Sequence, residues 1–305
     1  MKLYKRRGGQ FGILLSTLIF CVTCSCDPDP APDPGSSDQF ETTPEKVAIT
    51  PGIIDEASGL VPSYSMSGSL WTNQDSGRPN SLYLISKDGK SIKEFNVPGT
   101  INRDWEDVAI GPGPTNGVNY LYIGDIGNNN SPIASTSTIY RVPEISDING
   151  AFNQSNVEKI TFSYPDGPRD AESLLLDPVS KDIFIISKES QNTGIYRLAF
   201  PQSLNETITA EKIGTVPAAT IVTAGSVSKD GSEIVLRTYL AAYYWKRAQG
   251  ESIGQTLMKA ATKQLLVALE PQGEGICFAA DGSGFYTLSE RSNSASVTLN
   301  YYKRK

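Results

Sequence analysis

The chain has 305 residues, 39% of them hydrophobic and 20% charged, an ordinary globular balance. With 33 acidic against 27 basic residues the formal net charge is −6, which argues against nucleic acid and anionic lipid head groups as partners. There is no histidine, so Ser-His-Asp and Cys-His catalysis and His-ligated metal sites are excluded; chemistry would have to rest on carboxylates, lysine, arginine, tyrosine or a metal-bound water.

Lys2, Lys5, Arg6 and Arg7 precede an apolar stretch over residues 11–22. A dozen or so residues are too few to span a bilayer and suit the core of a secretion signal. Cys21, Cys24 and Cys26 follow. Ser25-Cys26-Asp27 resembles the lipobox of bacterial lipoproteins, with Thr23-Cys24 as the alternative and a plain secretory signal as a third reading. The resemblance implies lipidation at Cys26 and an outer-membrane, cell-envelope address, with the acyl chains as the sole membrane anchor. Removing residues 1–25 takes away four positive charges and no negative ones, which makes the remainder more acidic. Cys277 is then the last thiol, which leaves no partner for a disulfide, and its apolar neighbours mark it as a small buried hydrophobe. Residues 27–45, rich in Asp-Pro pairs, are expected to form an extended, disordered tether between the signal (1–26) and a folded domain over 46–305.

Within that domain one short pattern recurs five times: an acid (threonine once), about four small or apolar residues, then a turn. Its lead residues are Glu56, Glu106, Glu172, Thr223 and Glu274, a spacing close to 50 except for a longer second interval. Each period holds several short strand-like runs punctuated by turn residues, as in Ser81-Leu82-Tyr83-Leu84-Ile85 ahead of Lys87-Asp88-Gly89. Four strands per period of about 50 residues signals a β-propeller blade. The long second repeat carries polar insertions over 128–137 and 144–156; residues 208–216 read as one strand and 255–269 as outer strands of the fourth repeat. The fifth repeat has room for three strands, and Lys46-Val47-Ala48-Ile49-Thr50 can supply the fourth. The expectation is an all-β, five-bladed propeller closed by the N-terminal strand, a monomer, with six blades as the alternative.

Asp104-Trp105-Glu106-Asp107-Val108-Ala109 with Gly124-Asp125-Ile126-Gly127-Asn128, and Tyr164-Pro165-Asp166-Gly167 with Arg169-Asp170-Ala171-Glu172, resemble secreted bacterial propeller proteins loosely related to phytase-like and gluconolactonase-like propellers. Hydrolytic members of such families hold calcium with acidic residues, but no single catalytic pattern of theirs carries over residue by residue.

In an antiparallel meander the start of the first strand and the end of the second share an edge. The lead acids should therefore ring one channel mouth with Asp75 (or Asn73), Asp125, Lys188, Tyr239 and Glu290, and with Asp104, Asp170 and Arg237 close by. Converging carboxylates need a cation, protons or basic partners. Glu56, Glu106, Glu172 and Glu274 are the expected ligands of a cation, calcium or magnesium by their oxygen-only chemistry. Two alternatives stand beside this: the glutamates accept backbone N–H bonds and staple the ring, or the acidic ring serves a calcium-dependent phytase-like or lactone hydrolase. The ligand could be a small molecule, a glycan or an envelope protein. Tyr243-Tyr244-Trp245 reads either as strand packing or as a carbohydrate-stacking patch.

Overall fold

The computed structural model describes residues 39–129 and 133–305; the signal segment, Cys26, the tether up to residue 38 and Asn130 lie outside them. The described chain forms five antiparallel meanders around an axis, a five-bladed β-propeller. The innermost strands are Ala57–Pro62, Trp105–Pro112, Ala171–Leu176, Val222–Val227 and Gln272–Phe278. They are buried on both faces and thin in side chain, because five backbones crowd the axis. A Cβ added at Gly59 would sit 2.5 Å from the amide nitrogen of Val108 in the next blade.

Alternation along each strand builds the core. Leu82 and Leu84 pack toward the second blade while Tyr83 and Ile85, on the opposite face, pack toward the fifth. The same two-sided patterning gives five apolar wedges, one between each pair of neighbouring blades. The long second repeat is one sheet, not two: Trp105–Pro112, Asn119–Asp125, Ser137–Pro143 and Glu158–Ser163, with the described parts of its expected insertions lying between these strands. The six-bladed alternative is thereby set aside.

Closure follows the expected route. Glu45–Ile49 pairs antiparallel with Val297–Lys303 as the outermost strand of the fifth blade. The packed chain begins sooner than the composition implied. Residues 39–45, placed in the tether by their sequence, are folded against the ring: Phe40 is 2% exposed and bridges Arg304, and the Gln39 amide donates to Glu233 and Tyr244, both at 2.8 Å. One aromatic ring among polar residues was enough to extend the fold, because it fills a slot between Tyr244 and Phe285.

Two outer elements differ from expectation. Residues 208–216 split: Ile208–Thr209 joins the second blade in parallel with Glu158–Ser163, and Glu211–Thr215 completes the third. Residues 255–269 are not all strand. A single helical turn, Ile253–Leu257, starts in a capping box made by Ser252 and Gln255, and only Lys263–Leu265 pairs as the fourth strand. Cys277 is a buried free thiol, as expected, and Tyr244 and Trp245 are buried in blade contacts, so strand packing is their role.

Candidate functional site: an acidic channel mouth

The five inner strands share a defect near one mouth. The pairing to the second strand slips between Trp105 and Asp107, Ala171 and Ser173, Val222 and Ala224, and Gly273 and Gly275. The residue left out of the ladder is Glu106, Glu172, Thr223 and Glu274 in turn. A bulge re-aims the side chain it carries, and here it gathers the acids: burial pushes the Glu106 carboxyl well above the ordinary range, with Glu172, Asp75, Glu274 and Asp104 pushing it further. In the first blade the slip falls between Ala57 and Leu60, so Ser58 occupies the lead position. The Ser58 hydroxyl donates to Glu106 Oε2 at 3.3 Å.

This register moves three sequence-expected residues. Glu56 is two residues early, level with Asp104, Asp170 and Gln272, and its carboxylate pairs with Arg78 at 2.9 Å, beside the acids and close enough to raise Asp75 and Glu290. Asp125 is one residue early; it lies opposite Trp105, and the position equivalent to Asp75, Lys188, Tyr239 and Glu290 falls to Ile126. The Asp125 carboxylate turns back to accept the Asp104 N–H at 2.8 Å, with Arg103 at 3.6 Å. Arg237 leaves the mouth altogether. It is fully buried between the fourth and fifth blades, paired with Glu270 and donating to the Gly275 carbonyl at 3.0 Å.

The remaining residues form two groups. Asp75, Asp104 and Glu106 each offer a carboxylate oxygen within 4.8 Å of the other two, the spacing of a cation cage. No salt bridge among the described residues involves any of the three. Burial, then Asp75, raises the Asp104 carboxyl to about 6, and burial raises Asp75. Gly127 makes the cage possible: a Cβ there would lie 2.3 Å from Glu106 Oε1 and 2.6 Å from Asp104 Oδ2.

The second group is a hydrogen-bonded arc. Lys188 pairs with Glu172 and donates to the Tyr239 hydroxyl at 2.7 Å; that hydroxyl donates to Glu274 Oε1 at 3.5 Å; Gln272 donates to the same oxygen at 3.0 Å. Burial alone would lower the Lys188 ammonium, but the Glu172 contact more than offsets it and keeps the charge. Glu274 and Glu290 hydrogen-bond each other, and burial together with Glu274 raises Glu290 to about 10, so this carboxyl pair holds a proton at neutral pH. Glu172 Oε2 and Glu274 Oε2 are buried with no hydrogen-bond partner among the described residues. Asp170 stands nearby, accepting the Asn128 N–H at 2.7 Å.

Blade stapling by an acid does occur, one residue further along than expected. Asp107, fully buried, accepts the N–H groups of Leu174 at 2.9 Å and Gly225 at 3.3 Å, tying the inner strands of the second, third and fourth blades. Its signal was available: it is the sole acid at a position where the other repeats carry glycine, serine or alanine.

No family model matches the sequence, and no curated protein does. Solved structures similar to this chain include a luciferin-regenerating enzyme, at 8% identity and a TM-score of 0.46 over 85% of this chain and 95% of that one. A gluconolactonase from Xanthomonas campestris is similar at 10% identity and a TM-score of 0.48 over 88% and 91%. Both are propeller-type enzymes, and identities this low carry no information about activity.

Proposed function

We propose that the acidic mouth binds a divalent cation, calcium or magnesium by its oxygen donors, through Asp75, Asp104 and Glu106, and that the cation presents a small oxygen-rich ligand to the neighbouring Lys188 and Tyr239. The supporting observation is the convergence of three carboxylates, none ion-paired, with Gly127 cleared out of their way. We further propose an envelope address, lipidation at Cys26, a monomeric ring, and a ligand that is a small molecule, a glycan or an envelope protein and not nucleic acid.

Thermal melting with and without cation tests the core of it. Calcium or magnesium at about a hundred times its Kd stabilises the fold by about 2.7 kcal/mol. Asp104→Asn removes that response. A melting temperature indifferent to both cations and to chelator rejects the proposal. Metabolic labelling with a radioactive fatty acid tests the anchor: Cys26→Ser abolishes the label and Cys24→Ser leaves it.

A second reading, cation-dependent hydrolysis of a lactone or phosphate ester, is favoured by the Glu274–Glu290 pair. A carboxyl that retains its proton at neutral pH beside a cation site is suited to protonate a leaving group. Lactones and phosphomonoesters assayed with calcium test it. Turnover that Glu290→Gln lowers by about a hundredfold supports catalysis, and no turnover of either class leaves the binding reading alone.

A further inference from the structure

A second cleft lies away from the acidic mouth. It opens at the opposite end of the ring, where the first and fifth blades meet, beyond Pro62 and Phe278 at the ends of their inner strands, and encloses about 580 Å³. One wall is the outer part of the fifth blade, with Glu45 and Val47 of the closing strand beside Tyr286 and Tyr301. The other is the 63–69 turn of the first blade together with Lys87. Lys229, from the fourth blade, reaches over it.

The walls are built, not loose. Tyr301 is held by its hydroxyl on the Ser283 carbonyl at 2.9 Å and Ser283 Oγ at 2.8 Å, and its ring leans on Tyr286 with centroids 4.7 Å apart. The turn that carries Tyr64 is pinned by Glu144, which accepts from Ser63 Oγ at 2.6 Å, the Tyr64 N–H at 3.0 Å and Ser65 Oγ at 2.7 Å. Lys229 Nζ lies 4.6 Å from the centre of the Tyr64 ring.

The free polar groups define what fits. The hydroxyls of Tyr64 and Tyr286 and the ammonium groups of Lys87 and Lys229 make no hydrogen bond among the described residues. The two lysines face three acids, Glu45, Asp88 and Asp281, so the lining mixes both signs of charge with one negative charge in excess. Asp88 is engaged by Ser86 Oγ at 2.6 Å and Asp281 by the Ser283 N–H at 3.0 Å. Half-buried aromatic rings, unsatisfied donors, serine hydroxyls and charges of both signs form the complement of a neutral polyhydroxylated ring, whose C–H face packs on an aromatic side chain while its hydroxyls take up the donors. We propose that this cleft binds a neutral saccharide, independently of the acidic mouth.

Isothermal titration of the full chain with maltohexaose, cellohexaose and a chitin hexamer tests the proposal. At least one binds. Ser67→Trp, which fills the cleft from an exposed position, weakens it about tenfold or more, and the Lys87→Ala, Lys229→Ala double variant weakens it about tenfold, both at an unchanged melting temperature. Calcium and chelator leave the affinity as it was. Failure of all three sugars to bind, or full affinity in Ser67→Trp, overturns the proposal.

Discussion

At the scale of single residues the mouth depends on Gly127 as much as on the acids. The absence of a Cβ there lets Glu106 and Asp104 face each other across the end of the second strand. Gly127→Ala is expected to abolish the cation-induced rise in melting temperature while the protein still folds, since the change is local to the loop. The raised carboxyls also set a pH dependence. Asp104 ordinarily titrates at 3.8 and in the folded chain at about 6, so the folded state holds this proton more tightly. Its contribution to stability is complete below 3.8 and is lost as pH rises through about 6. Without divalent cation the melting temperature therefore falls over that window, and with calcium the fall is relieved, because the ion takes the proton's place. Melting curves across the window, with calcium and with chelator, check both signs. Asp107 carries a different load. Asp107→Ala strands the buried N–H groups of Leu174 and Gly225, and chemical denaturation should show a loss of about 3 kcal/mol or more.

At the scale of elements, the bulge explains which parts of the site could be foreseen. Lys188, Tyr239 and Glu290 follow their strands at equivalent positions, so counting along the repeats found them. Glu56 was misassigned because the first blade offers an acid two residues before the true lead position, and letters alone do not show that Ser58 is the residue carried by the bulge. Arg237 was misassigned because a strand alternates its faces, and its face is the contact between blades, where Glu270 also meets Thr287 at 2.9 Å and Asn300 at 2.6 Å. Asp104 and Asp75 were placed near the mouth, but their union with Glu106 into one cage depends on the angle at which two blades meet. No spacing in the chain encodes that angle. The segment ahead of the closing strand supplies a further prediction: Phe40→Ala removes a ring packed on Phe285 at 5.1 Å and should cost about 3 kcal/mol in urea unfolding.

At the scale of the whole molecule the fold was legible because a near-constant period and two-sided strand patterning both demand a closed ring of sheets. What could not be read was where the ring starts: composition marked Pro-rich residues as tether, and only the packing of Phe40 and Gln39 shows that the ring takes hold from residue 39. A chain lacking residues 39–49 leaves Val297–Lys303 as an open, largely apolar sheet edge and is expected to self-associate, as light scattering would show. The clasp between Glu45–Ile49 and Val297–Lys303 also has a consequence in time. Its two halves are nearly the full domain apart in sequence, so the earliest strand to be synthesised is the last to find its neighbour, and loop-closure entropy makes that final docking slow. Until it happens four blades can form around a fifth that lacks its outer edge, which makes the interval before docking the moment when this protein is most exposed to proteases and to its own copies.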